Sequence, residues 1–161
     1  MPPVLAGLAR GAASRQAATV RIDAVVLDCR DAAPLARFWA AALEWRVAPY
    51  DEEELARLAS KGIFDPEDDP TVMVEPPDDS DLPVLFLVEV PEDKVVKNRM
   101  HLDLQAGEEL ETEVERLEGL GASIRNWAEG DGGMWCVMLD PEGNEFCLCP
   151  PECPGPGSAQ P

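Results

Sequence analysis

The chain has few basic residues and no long apolar run. It contains 13 Lys and Arg residues against 32 Asp and Glu residues, which gives a formal net charge of -19 over 161 residues. This charge repels phosphate backbones and anionic lipid head groups, so nucleic acid and membrane surfaces are poor partners. The longest apolar candidates are Ala24–Leu27 and Val84–Val88. Both are far shorter than the roughly 18 residues of a membrane-spanning helix.

Cysteines are present but lack a paired pattern. Their number is odd and none forms a CxxC pair. The N-terminal segment also lacks the uninterrupted apolar stretch of a secretory signal. We therefore expect reduced thiols, mostly small buried apolar side chains, in a cytoplasmic protein. The five are Cys29, Cys136, Cys147, Cys149 and Cys153.

Several catalytic motifs are missing. His101 is the only histidine, which excludes an HExxH zinc protease site. The sequence also has no GxGxxG after a strand, no GxxxxGK[ST] and no GxSxG. Nucleotide binding and acyl transfer of the usual kinds therefore lack their sequence elements.

The two ends of the chain differ from its middle. Residues 1–21 carry arginines but no acidic residue, a composition typical of a disordered N-terminal extension, with a transit peptide as the alternative. Residues 150–161 are rich in proline and predict a disordered tail. The expected folded domain is 22–149, in two modules at 22–92 and 98–149.

The folded part reads as an internal repeat of a strand, a helix and further strands. Ile22–Cys29 is a β-branched run, and Asp31 is placed to cap a helix that ends near Leu43. The second half predicts a strand at Arg99–Leu104 and a helix at Glu108–Leu120. An offset of 77 residues relates the halves and pairs Ala24 with His101, Leu43 with Leu120, and Glu44 with Gly121.

The first half contains an acidic insertion, Asp51–Asp81, that the second half lacks. Asp51–Ser60 predicts a short helix, and Phe64–Ser80 reads as an irregular loop because of its prolines. The charge indicates either a solvated surface or a role in attracting a cationic ligand. The insertion lies either over a binding cavity as a lid or clear of it.

Both halves are expected to close with strands. Pro83–Val90 predicts the last strand of the first half. In the second half, Met134–Leu139 and Glu145–Cys149 flank the sequence Asp-Pro-Glu-Gly-Asn at 140–144. Proline followed by glycine favours a tight turn, so these two strands are expected to form a hairpin.

Four separated segments resemble one superfamily. They are similar, in the same order, to the glyoxalase/bleomycin-resistance/dioxygenase (vicinal oxygen chelate) superfamily, and most of all to its glyoxalase-like domain proteins. The resemblance covers about 22–149. It implies an α+β fold in which two βαβββ modules form a curved mixed sheet around a cavity, with the helices outside. It also implies a homodimer, as in many relatives. The segments are DAVVLDCRDAAPLARFWAAALEW, KVVKNRMHLDL, GLGA and DPEGNEFCL.

The resemblance also implies positions for metal ligands, one on the first and one on the last strand of each module. In module one these positions fall on Ala24 and near Val88, which offer no ligand atom; in module two they fall on His101 and Cys147. A metal-free protein that binds a small organic molecule, cationic or aromatic, is therefore the first expectation. The alternative is a lyase, isomerase or dioxygenase that uses His101 with Glu145 or Cys147. It would act with or without a divalent ion, which could be zinc, iron, manganese or copper. The ligands of that ion would be His101, Cys147 and Glu145.

Strand alternation places further candidates in the implied cavity. His101 and Glu145 are the candidate catalytic residues, and His101 as a cavity residue held by Asp103 is the structural alternative. A third hypothesis is a structural or regulatory partner domain whose cavity is vestigial and binds no ligand. The candidate ligand-binding residues are Arg99, Asp103, Trp45, Trp127 and Trp135.

Overall fold

The computed structural model describes residues 21–107, 109–130 and 133–151. Residues 1–20 of the predicted N-terminal extension lie outside the described ranges. Residues 152–161 of the predicted tail, which include Cys153, also lie outside them, as does Glu108. No helix in the described ranges is long and apolar enough to cross a membrane.

Module one is a four-stranded mixed sheet with the order β1-β4-β3-β2, in which β1 and β4 are parallel and the other pairs antiparallel. The insertion between β2 and β3 contains a helix and a 3-10 turn. The elements are β1 (Ala24–Cys29), α1 (Ala32–Leu43), β2 (Arg46–Val47), α2 (Glu52–Ser60), the 3-10 turn (Pro66–Asp68), β3 (Thr71–Glu75) and β4 (Val84–Glu89).

Module two repeats this topology with the order β5-β8-β7-β6 and a parallel β5–β8 pair. The predicted α+β class, the internal repeat and the β7–β8 hairpin are therefore confirmed. The elements are β5 (Asp103–Gln105), α3 (Leu110–Leu120), β6 (Ser123–Gly130), β7 (Gly133–Leu139) and β8 (Glu145–Cys149).

One hydrophobic core joins the two modules. Leu35, Phe38 and Trp39 of α1 are buried in the same cluster as Phe146 of β8. The Trp39 and Phe146 rings meet edge to face, with centroids 5.3 Å apart, an arrangement that the charge distribution of aromatic rings favours. The modules are thus held together by packing as well as by the chain connection.

The N-terminus of α1 is bound by the other module. Asp31 is the N-cap residue, as predicted, but its side chain makes no capping hydrogen bond. The backbone N–H groups of Arg30 and Asp31 instead donate to the Glu142 carboxylate, at 2.7 and 2.9 Å. An anion at this position also complements the helix dipole. The β7–β8 turn therefore stabilises a helix of module one.

Three predicted elements differ from the structure. The expected strand Arg99–Leu104 is reduced to β5, because only Asp103–Gln105 pairs in register with β8. The expected loop Phe64–Ser80 contains β3, because the alternating sequence at 71–75 pairs with β4 despite the prolines on both sides. The first strand begins at Ala24 rather than Ile22.

Candidate functional site

Three side chains that can bind metal or move protons meet on module two. Asp103 on β5 and Cys147 on β8 are register partners of a parallel pair, so their side chains share one face. His101 lies just before β5, with its Nδ1 3.0 Å from Asp103 Oδ1 and 3.9 Å from Cys147 Sγ. Their ligand atoms all lie within 4.8 Å of one another.

The Cys147 thiol is held in its protonated form. Burial raises its pKa to about 12, and the neighbouring Asp103 carboxylate adds to this effect. Cys147 and Asp103 both contact Nδ1 of the imidazole. In a catalytic triad, the carboxylate binds one ring nitrogen and the nucleophile binds the other. The cluster therefore does not have the geometry of a Cys-His-Asp nucleophile.

The donor set does fit a metal ion. One imidazole nitrogen, one carboxylate oxygen and one sulfur are ligands that zinc accepts, and three protein ligands leave a fourth position open. Module one adds nothing to them, since Ala24 and Val88 are apolar. Any ion here would be held by module two alone.

Glu145 lies outside this cluster, although alternation placed it with His101. Its carboxylate is 4 % exposed, forms ion pairs with Arg125 and Lys94, and accepts the Asn98 N–H. Burial by itself raises the pKa of this carboxyl, but the N–H groups of Asn98 and of Glu145 itself, together with Lys94, outweigh it and hold the pKa at about 2. Glu145 is thus an anion at neutral pH, engaged by cations of its own.

Arg125, which pairs with Glu145, is a residue that the sequence pattern did not identify. It lies at a β-bulge in β6, where the register with β7 shifts between Ile124 and Asn126. A bulge inserts one residue and breaks the alternation of faces, so a strict period of two cannot predict where this side chain points.

A cavity of about 670 Å³ lies between the modules. Its walls are mainly apolar and come from both halves of the chain. Module one supplies Val25, Trp45 and Leu85, and module two supplies Leu102, Leu104 and Leu148. Asp103 lies on the strand that borders the cavity, but its side chain shares the face of Cys147, whereas the leucines that line the cavity lie on the other face. The cluster and the cavity therefore lie on opposite faces of the sheet of module two.

The charged side chains around this cavity are mostly acidic. Glu44 and Glu113 line it, and Arg116 is its only basic lining residue among those described. Arg116 is already engaged, because it pairs with Glu113 and donates to the Ala42 carbonyl at the end of α1. The cavity thus offers carboxylates but no unpaired cation.

The structure separates the other predicted ligand-binding residues from this cavity. Arg99 lines a different groove, together with Asp28 and Asp93. Trp127 pairs with buried Cys136 and lies on the helix-facing side of β6, while Trp135 alternates with Cys136 onto the opposite side of β7. Of the predicted set, only Trp45 and the strand that carries Asp103 border the cavity.

Comparison with known proteins places the chain in a family. The model of the glyoxalase-like domain family matches residues 24–149. No curated protein sequence matches.

Solved structures with the same architecture are distant in sequence. A glyoxalase/bleomycin resistance protein/dioxygenase family enzyme from Burkholderia phytofirmans PsJN has a TM-score of 0.57 at 14% identity, covering 81% of this chain and 98% of its own. A glyoxalase-related enzyme from Fulvimarina pelagi has a TM-score of 0.53 at 15% identity, covering 81% and 87%. The fosfomycin resistance protein FosX from Mesorhizobium loti has a TM-score of 0.50 at 13% identity, covering 76% and 85%.

These identities show a shared fold and do not assign an activity. The family model spans both modules, from β1 to the end of β8. The chain therefore belongs to the glyoxalase-like domain family, within the glyoxalase/bleomycin-resistance/dioxygenase (vicinal oxygen chelate) superfamily.

Proposed function

We propose that this protein binds a small organic molecule in the cavity between its modules, without the four-ligand metal site implied by the superfamily. The cavity itself carries the proposal. Its volume of about 670 Å³ lies within the range of small-molecule sites, which is about 300–1,000 Å³. Apolar walls with a few polar groups at one side are also typical of such sites.

The lining indicates the chemistry of the ligand. Trp45 and the leucine side chains would pack on an apolar or aromatic body. Glu44 adds negative charge, and Arg116 is neutralised by Glu113. The net charge of -19 reinforces this preference at long range. The ligand is therefore an aromatic compound that carries a positive charge.

Module one has no metal-coordinating atom at its two implied positions. This supports binding of an organic molecule without the superfamily's usual metal site. Two of the four implied ligand positions hold Ala24 and Val88, which cannot coordinate an ion. In module two, Glu145 is engaged by Arg125 and Lys94. What remains is a cavity whose affinity for an organic ligand depends on packing and charge.

Two probes of the same shape and opposite charge test this proposal. We expect tetraphenylphosphonium to bind with heat measurable by titration calorimetry and to change the tryptophan fluorescence, and tetraphenylborate to bind at least tenfold more weakly. Glu44→Gln should weaken phosphonium binding about twofold to fivefold, since a charge contact at an exposed edge of the cavity contributes up to about 1 kcal/mol. Asp28→Asn, outside this cavity, is the matched control. Equal binding of both probes, or of neither, would overturn the proposal.

The cluster of His101, Asp103 and Cys147 favours a second candidate function, a metal-dependent lyase, isomerase or dioxygenase. A bound divalent ion would supply a Lewis acid for adjacent oxygen atoms of a substrate. The test is elemental analysis of protein purified without a histidine tag, beside Asp103→Asn, Cys147→Ser and the control Cys136→Ser. A stoichiometric ion lost only in the first two variants would replace the metal-free proposal with this one.

A further inference from the structure

The acidic insertion of module one lines a second cavity. This cavity, of about 920 Å³, lies between α2 and the face of β3 and β4 that points away from α1. Its floor contains Met73 and Phe86, which are register partners and half-buried. Module two has no counterpart, because only two residues join β6 and β7. The insertion therefore gives module one a cavity that the repeat unit lacks.

A buried carboxylate that lines this space accepts hydrogen bonds from neutral donors. Asp69 is 2 % exposed and lines the cavity. Its Oδ2 accepts the Tyr50 hydroxyl at 3.1 Å and its Oδ1 accepts the Thr71 N–H at 3.0 Å, and both donors are neutral. No ion pair to Asp69 occurs among the residues described. A carboxylate can accept about four hydrogen bonds, so it retains capacity for a charged donor.

The other charges of the cavity do not supply that donor. Arg46 is paired with Glu75 and Asp78, and Arg57 is paired with Glu54. Arg57 is close enough for its charge to attract Asp69, but its hydrogen bonds go to Glu54. Neither guanidinium group, nor Lys61, forms an ion pair with Asp69 among the described residues. The acidic lining residues outnumber the basic ones: they are Asp51, Glu53, Glu54, Asp69 and Glu75, against Arg46, Arg57 and Lys61.

We propose that this cavity is a second ligand site, which takes a small organic amine in its protonated form. The ammonium group binds the Asp69 carboxylate, and the apolar or aromatic part of the ligand lies on Phe86 and Met73. A charged hydrogen bond to a buried carboxylate is among the stronger polar contacts, and aromatic and thioether side chains suit the rest of such a ligand. The cavity shares no lining residue with the one between the modules.

Tyr50 makes this site separately observable. It is the only tyrosine of the chain, so labelling with 3-fluorotyrosine gives a single ¹⁹F resonance that reports this cavity. We expect 2-phenylethylamine to shift that resonance saturably. The matched neutral and anionic compounds, 2-phenylethanol and 3-phenylpropanoate, should shift it at least tenfold less at equal concentration.

Variants identify the carboxylate. Asp69→Asn keeps an acceptor for the Thr71 N–H but removes the charge, and should weaken amine binding at least tenfold; Asp68→Asn, an exposed neighbour, should bind as the wild type. Met73→Lys places a fixed cation on the floor and should abolish binding, which keeps the test decisive if Asp69→Asn does not fold. Equal shifts by the three compounds, or wild-type affinity in a folded Asp69→Asn or Met73→Lys variant, would overturn the proposal. The phosphonium titration of the other cavity is independent of this result.

Discussion

Trp39 of module one donates its indole N–H to Asp140 of module two, with Nε1 and Oδ2 3.2 Å apart and both residues buried. Asp140 opens the β7–β8 turn and also accepts the backbone N–H groups of Glu142 and Asn144. Burial raises the pKa of this carboxyl, and these hydrogen bonds oppose the shift. The turn therefore organises the hairpin and joins the modules at the same time.

Removing this carboxylate should destabilise the whole domain. Asp140→Ala leaves the Trp39 N–H and two turn N–H groups without their acceptor, and unsatisfied buried donors cost about 1–3 kcal/mol each before relaxation. We expect a loss of about 3 kcal/mol in the free energy of unfolding, measured by urea denaturation. Trp39→Phe, which removes only one donor and part of the ring, should cost about 1–2 kcal/mol.

Asp23→Ala is the control for this prediction. Among the described residues, Asp23 pairs only with Arg21 and at an exposed site, so its removal should change stability by less than about 0.5 kcal/mol. If Asp140→Ala matched this control, the Trp39–Asp140 contact would not join the modules energetically.

Local patterns predicted much of the fold. The apolar stripes of α1 and α3, the turn at 140–144 and the repeat offset all depend on residues close in sequence, and each is found in the structure. The strand at 71–75 was missed because proline signals on both sides outweighed a five-residue alternation. Its formation depends on pairing with β4, which lies further along the chain.

The site was predicted less completely, for a related reason. His101, Asp103 and Cys147 are brought together by a parallel pairing that strand alternation and the family resemblance anticipated. The partners of Glu145 could not be predicted in this way, because Lys94 lies 51 residues away and Arg125 lies at a bulge. Long-range ion pairs and register shifts leave no periodic signal in one sequence.

The repeat offset yields a second prediction, at the ends of the two helices. Glu44 and Gly121 occupy equivalent positions, and both have left-handed backbones, with φ of 56° and 114°. Only glycine adopts this conformation without strain from its Cβ. Glu44→Gly should therefore raise the free energy of unfolding by about 0.5 kcal/mol, and Gly121→Ala should lower it by about 1 kcal/mol.

A second glycine in the same helix provides the control. Gly119 lies within α3, and a Cβ added there meets nothing within 4 Å. Gly119→Ala should stabilise the protein by about 0.5–1 kcal/mol, because alanine favours helix more than glycine does. Opposite signs for two Gly→Ala changes two residues apart, in urea denaturation, would establish the conformational cause. The same sign at both positions would contradict it.

Buried thiols predict a loss of stability at alkaline pH. Burial, and then the nearby carboxylates of Glu142 and Glu89, raise the pKa of Cys29 from 9.0 to about 12. In the unfolded chain this thiol ionises near pH 9, whereas in the folded protein it stays neutral. The stability contributed by the neutral thiol is therefore complete below pH 9 and is lost as the pH rises towards 12.

The size and origin of this loss can be measured with one variant. Between pH 9 and pH 11 the difference in pKa corresponds to roughly 2 kcal/mol of stability at Cys29. Cys29→Ala removes the titrating group, so its free energy of unfolding should decline less steeply over this interval than that of the wild type. Some decline should remain, because burial also raises the pKa of Cys136 to about 11 and that of Tyr50 to about 12. Ser123→Ala, which removes no titrating group, should follow the wild type. If the curves of Cys29→Ala and the wild type were parallel, the Cys29 thiol would not be a cause of the loss of stability at alkaline pH.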